Sequence, residues 1–221
     1  MTPFILTINF RTPISAGRLP SLDALLAAEI AKEKGDDAIE NLPLAQTESV
    51  WHGSDLFIDA PGIVGQVTKY SHAMRERDGV PDFVSEPKRG FRRWKNLEGA
   101  YAVQAVSVGV YFGIGDIDAV EAIVRDVPAI GAHRNDGFGL IDSYAFDLGP
   151  NACPLWGLAD VSGNPARPVP LEVWEELPGV QPPEATEFCR WRPFYWSARS
   201  PRAACAVPVS NDLSMLDLGL G

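Results

Sequence analysis

The chain opens on an alternation. In "PFILTINFR", Phe4, Leu6, Ile8 and Phe10 take one side of an extended segment, and Ile5, Thr7, Asn9 and Arg11 take the other. That period of two predicts a half-buried strand. The breaker-rich stretch "TPISAGRLP" ends it. In "SLDALLAAEIAKEKG" the apolar positions Leu22, Leu25, Leu26 and Ile30 recur at helical spacing, with Ser21 as N-cap and Gly35 as stop. An acidic connection, "DDAIENLPLAQTES", leads to "VWHGSDLFIDA", which reads as a strand, a turn at Gly53 and a second strand. Residues 61–99 lose apolar periodicity and gain charge, as an insertion would. "AYAVQAVSVGVYFG" reads as one strand, with Val106, Val108, Val110 and Phe112 on one face. "DIDAVEAIVRDVPAIG" predicts a short helix carrying Ile117, Val120, Ile123, Val124 and Val127 on a stripe. Asp116 or Asp118 caps it and Pro128 ends it. A glycine-rich loop follows, then the strand "LIDSYAFDL".

This order is β-α-β(β)-insertion-β-α-loop-β. It predicts an α+β protein with a ferredoxin-like (RRM-like) βαββαβ core over residues 1–148, interrupted by a basic arm at about 61–99. Residues 149–221 are rich in Pro, Trp and Arg with little periodicity. They are expected to pack on the core as an irregular C-terminal extension.

Charge changes the picture more than size does. The 221 residues carry a net charge of −10, which by itself disfavours a nucleic-acid binder. The distribution reverses that reading locally. Lys69 to Lys95 holds eight Lys/Arg against four Asp/Glu, and Arg190 to Arg202 holds four Arg and no acid. Two basic patches on an acidic body suit selective contact with a polyanion, although solvated surface charge gives the same count. No apolar run reaches the ~20 residues of a membrane span, and the N-terminus lacks the pattern of a signal peptide. Cys153, Cys189 and Cys205 are odd in number, without a CxxC pair, so a reducing cytoplasm is expected.

The glycine loop, "AIGAHRNDGFG", invites a phosphate-loop reading and fails it. Such loops run from a strand into a helix, so that the helix N-terminus faces phosphate. Here the order is helix, loop, strand. Single-stranded nucleic acid is better served by "KRGFRRWK", where Lys88, Arg89, Arg92, Arg93 and Lys95 interleave with Phe91 and Trp94. Cations meet phosphates there and aromatic faces stack on bases. "CRWRPFYWSARSPR" has the same composition, but Trp191, Phe194, Tyr195 and Trp196 would equally serve as a lid on the sheet, with arginines stacked over them. His52, His72 and His133 admit a metal-independent ribonuclease using a general acid and base, with Lys69 and Tyr70 beside His72. The opposing reading packs His52 beside Trp51 and leaves His133 to contact RNA or solvent. His52 and Asp55 lack a third ligand in reach, so no metal or other cofactor is expected. A GxSxG elbow is also missing.

The loop resembles the glycine-rich loop of the RAMP superfamily, the ferredoxin-like subunits of CRISPR ribonucleoproteins. Four further pieces resemble the Cas family five subunit of type IV systems: "LPSLDALLA", "WHGSDLF", "YSHAMR" and "RPFYW" at Arg192 to Trp196. Together they spread over residues 1 to about 200, each short and degenerate. The acidic body departs from the pattern of a broad RNA-contact surface. The resemblance implies a non-catalytic subunit that caps the 5′ handle of the crRNA. Its partners would be a repeated Cas family seven-like backbone subunit and the large subunit. Target DNA would be met only through the assembled complex, and no membrane is involved. The implied RNA contacts are Lys69, Arg75, Lys88, Arg89, Arg92, Arg93, Trp94 and Lys95 on the arm. Gly131, His133, Arg134, Gly137, Phe138 and Gly139 follow in the loop, and Arg190 and Arg192 near the C-terminus. A guide-RNA-processing endoribonuclease on the same fold is the alternative, and a protein-interaction module with acidic partners is a third.

Overall fold

The computed structural model describes residues 1–15, 19–35, 40–59, 65–71, 97–150, 153–193, 195 and 200–218. The fold is α+β. Strand β1 (Thr2–Phe10) is central to a four-stranded sheet, in the order β5 (Phe57–Ile58), β8 (Val108–Gly115), β1, β9 (Ile141–Leu148). Every neighbouring pair is antiparallel. The alternation of β1 sets its two faces. Phe4, Leu6 and Ile8 are buried with Leu22, Leu25 and Leu26 of helix α1 (Leu22–Lys34) and Val120 and Val124 of helix α2 (Ile117–Val124). Ile5 faces the other way, against Val110, Phe112 and Trp156.

Both helices begin as their sequences dictate, by different chemistry. At α2, the Asp116 carboxylate accepts from the Ala119 amide at 3.3 Å, so Asp116 rather than Asp118 is the cap. At α1, the Ser21 hydroxyl makes no capping bond and donates instead to the Asp23 carboxylate at 2.5 Å. Gly35 ends α1 at φ +81°. Helix α2 stops at Val124, before Pro128 is reached.

One expected strand is two. Residues 100–113 do not run as a single element: β7 (Leu97–Gln104) ends before Ala105, and β8 starts at Val108. The break has a physical origin. The Ser107 amide donates to the Asp59 carboxylate at 3.0 Å, and the Ser107 carbonyl accepts from Phe10 at 2.9 Å, while Val106 turns into the core. β7 then pairs with β6 (Gly65–Ser71) and β2 (Ile14–Ser15) in a separate sheet. β6 and β7 pair antiparallel along their length, and residues 72–96 between them lie outside the described residues.

"VWHGSDLFIDA" forms β4 (Val50–Trp51), paired with β3 (Gln46–Thr47), and then β5. The C-terminal third holds more regular structure than its composition suggests. β10 (Val169–Pro170), β12 (Arg202–Ala206) and β11 (Thr186–Arg190) make a third sheet in that order, with the single-turn helix α3 (Leu171–Trp174) beside it. Trp156 seals the open face of the core sheet: it is fully buried, lies 4.4 Å from Phe112 between ring centroids, and donates to the Phe4 carbonyl at 2.9 Å. No helix among the described residues is long and apolar enough to cross a membrane.

Candidate nucleic-acid interface

The loop between α2 and β9 is built from left-handed residues. Gly131, Gly137 and Gly139 have φ of +99°, +89° and +65°, and His133 adopts +56°. Glycine enters this region without a Cβ penalty, and histidine is among the side chains that tolerate it. Arg134–Asp136 make one 3-10 turn between them. The loop is pinned at its base. The Gly139 amide donates to the Pro13 carbonyl at 2.9 Å, its carbonyl accepts from Ile130 at 2.9 Å, and the Leu140 amide donates to the Thr12 hydroxyl at 2.9 Å. Ala132 to Asp136 are exposed, and Phe138 is half-buried.

The loop's basic side chains have acidic neighbours. Arg134 lies 3.8 Å from Glu29 on α1, and His133 lies 3.7 Å from Asp136. Beside them Arg11 pairs with Asp142 at 2.8 Å. Of the three, only Arg11–Asp142 is well exposed on both sides, where a pair contributes about 0–1 kcal/mol; Glu29 is mostly buried and is also bonded by Lys32. The loop thus presents a bent backbone with basic side chains around it, each beside an acid.

Of the contacts expected on the arm, one falls among the described residues. Lys69 lies on β6, but Arg75, Lys88, Arg89, Arg92, Arg93, Trp94 and Lys95, with His72, lie outside the described residues. Arg190 ends β11 and Arg192 follows two residues later, with its guanidinium 5.2 Å from the centre of the Trp191 ring. The stacking of arginine over aromatic is thus present at Trp191. Tyr195 does something else: it turns inward, to a buried arginine that no sequence motif marks.

Arg167 is fully buried. Its Nη1 lies 3.0 Å from Asp23 Oδ1 and donates to the carbonyls of Trp51 (2.8 Å) and Gly53 (3.1 Å). Its Nη2 donates to Asp23 Oδ2 at 3.0 Å, the Trp191 carbonyl at 2.7 Å and the Tyr195 hydroxyl at 2.7 Å. The Tyr195 hydroxyl in turn donates to Asp23 at 3.0 Å. Burial acts against the guanidinium charge, but the Asp23 carboxylate outweighs it and the pKa rises. Burial also pushes the Tyr195 phenol well up; the charge of Arg167 opposes that and Asp23 reinforces it. Both groups therefore keep their protons. Ser21 and Asp23 belong to "LPSLDALLA", Trp51 and Gly53 to "WHGSDLF", and Tyr195 to "RPFYW". Three separated motifs meet on one arginine, which ties the C-terminal extension to α1 and the 50–56 turn. Arg167 itself sits in the unremarkable stretch "NPARPVP", so only its environment identifies it.

His52 is equally committed. Its Nδ1 lies 3.0 Å from the Trp156 carbonyl and its Nε2 lies 2.8 Å from the Thr47 hydroxyl. The neutral ring meets both needs, donating to the carbonyl and accepting from the hydroxyl. Burial lowers its pKa; the Trp156 carbonyl opposes the shift, and the charge of Arg167 adds to it. The unfolded chain takes up this proton near 6.5, whereas the folded protein does so only at lower pH. The stabilisation is therefore complete above that value and is lost as pH falls below it. His52→Gln is expected to melt at lower temperature at neutral pH, with a shallower loss of melting temperature than wild type on acidification to about pH 5.5. Parallel slopes in the two proteins would contradict this.

Among the described residues no group of three or more His, Cys, Asp or Glu is arranged to hold a metal ion. No protein-family model matches the chain, and no curated protein matches it. Among solved structures, a chain in the cryo-EM structure of the type III-B Cmr-beta complex bound to cognate target RNA is similar, with a TM-score of 0.37 and 12% sequence identity. The match covers 66% of this chain and 61% of that one. A likeness at this level assigns no residue a role.

Proposed function

We propose that this chain is a non-catalytic RNA-binding subunit of a type IV CRISPR effector ribonucleoprotein. It caps the 5′ handle of the crRNA and contacts a repeated Cas family seven-like backbone subunit and the large subunit. Target DNA is met only through the assembled complex. The observation that carries the proposal is the α2–β9 connection: a glycine loop of left-handed residues, exposed at its tip, in the position where the RAMP resemblance expects RNA. The order β9-β1-β8-β5, with α1 and α2 on one face, supports the reading of residues 1–148 as a ferredoxin-like core. Residues 149–221 then form the extension, and 61–99 the arm. The engagement of both ring nitrogens of His52 favours a binding role over acid–base cleavage.

The test is direct. A purified complex carrying this chain is expected to co-elute with a defined small RNA. The chain alone is expected to leave its repeat RNA uncut without metal. Replacing Arg89, Arg92 and Arg93 together by Gln is expected to weaken binding and flatten its salt dependence, by about 0.7 in logarithmic slope for each phosphate no longer neutralised. An unchanged slope would remove the arm from the interface. Cleavage by the chain alone, abolished by replacing His52, His72 or His133, would make it a nuclease.

A further inference from the structure

The pairing of β11 with β12 sets two arginines opposite each other. Arg190 is the cross-strand partner of Arg202, and Phe188 is the partner of Ala204. Positions 188, 190, 202 and 204 therefore share one face of the hairpin. Like charges directly opposed across a ladder are destabilising in the free protein. The neighbouring acid, Glu187, is the partner of Cys205 and belongs to the opposite face. The Arg190 Nε is buried without a hydrogen-bond partner. Beside the pair stands Phe188, a large apolar side chain left 67% exposed. Two opposed guanidiniums next to an exposed aromatic ring are unfavourable alone and complementary to an anion joined to a flat apolar group. A nucleotide has that composition, with phosphate for the arginines and base for the ring.

The surface is also preorganised. Trp191, the residue after Arg190, has its carbonyl bonded to the buried Arg167 at 2.7 Å. Arg192 is held over Trp191, and its carbonyl accepts from Ser200 at 3.2 Å, closing the loop that leads back to Arg202.

We propose that this face of the β11–β12 hairpin is a second contact for single-stranded RNA, separate from the glycine loop, in which Arg190 and Arg202 straddle a phosphate and Phe188 stacks on the adjacent base. The inference rests on the RNA-binding reading above and extends it to Phe188 and Arg202.

The probe is a fluorescein-labelled oligouridylate of about ten nucleotides, titrated into the purified full chain at several salt concentrations. Phe188→Ala is expected to weaken binding roughly 5- to 150-fold with an unchanged salt slope, because it removes stacking and no charge. Arg202→Gln is expected to reduce the slope by about 0.7. The melting temperature of Arg202→Gln should equal or exceed that of wild type, since a like-charge pair is relieved. Wild-type binding by both variants, with binding abolished in Arg134→Gln, would overturn this site and leave the glycine loop as the interface. Failure of wild type itself to bind RNA would sink the functional reading instead. Displacement of the oligouridylate from wild type, but not from Phe188→Ala, by an equal charge of polyglutamate would reassign the face to an acidic protein partner.

Discussion

Asp23→Asn and Arg167→Met are each expected to lower stability by about 3–5 kcal/mol, because each leaves its partner charged or polar in a fully buried site. For a chain of this size that is a fall in melting temperature of roughly 6–20 °C. Arg167→Lys should recover little. An ammonium cannot place donors on Asp23, on the Trp51 and Gly53 carbonyls, and on Trp191 at once, as the planar fork does. Pairing Asp23→Leu with Arg167→Met removes both charges, which for an isolated buried ion pair is often neutral. Here it should recover only part of the stability, because three main-chain carbonyls, of Trp51, Gly53 and Trp191, would each lose a hydrogen bond from the guanidinium. Thermal or urea unfolding of the four variants checks this. A double mutant as stable as wild type would show that the carbonyl bonds contribute nothing and that the network is only an ion pair.

Much of the fold is legible in the sequence because it follows local rules. The alternation of β1, the stripe of α1 and the Asp116 cap each depend on residues within one element. What is not legible depends on residues far apart in sequence. The break at residues 105–107 is invisible in "AVQAVSVGV", since valine continues a strand there; the reason to turn comes from Asp59 and Phe10. β11 and β12 lack apolar alternation because Phe188 stands on the exposed face while only small residues such as Cys189 and Cys205 are buried, so composition alone marks the region as irregular.

The motifs that carry the family resemblance have a structural part in the molecule. Polar groups of "LPSLDALLA", "WHGSDLF" and "RPFYW" converge on Arg167, in the interior. A buried Asp at the second position of a helix and a Tyr in an aromatic run each look like surface chemistry in sequence. The partner that explains them lies 144 residues from Asp23 and 28 from Tyr195. The sequence carries one signal of it, Asp23 itself, an acid on the otherwise apolar first turn of α1. Its consequence for function is indirect. By gripping Trp191 and Tyr195, the network sets the direction in which the basic segment leaves β11.

The glycine loop offers the second large effect, and a way to separate scaffold from interface. Gly139 and Gly137 both lie in the left-handed region, at φ +65° and +89°. Their surroundings differ. A Cβ on Gly139 would overlap the Ile130 carbonyl oxygen, whereas one on Gly137 meets nothing within 4 Å. Gly139 cannot move away, since its amide is bonded to Pro13 and its carbonyl to Ile130. Gly139→Ala should therefore suffer both the left-handed penalty and a steric clash, about 2–5 kcal/mol together. Gly137→Ala should suffer only the first, about 1–2 kcal/mol. Gly139→Val should be worse than Gly139→Ala, because the branched side chain adds bulk where a single carbon already collides. Urea unfolding ranks the three. If the Gly137 and Gly139 alanine variants are equally stable, the close approach to Ile130 does not constrain the protein in solution. If the ranking holds, Gly137→Ala is the variant in which RNA retention can be read without unfolding, and failure to retain RNA at preserved secondary structure would mark the loop tip as a contact surface.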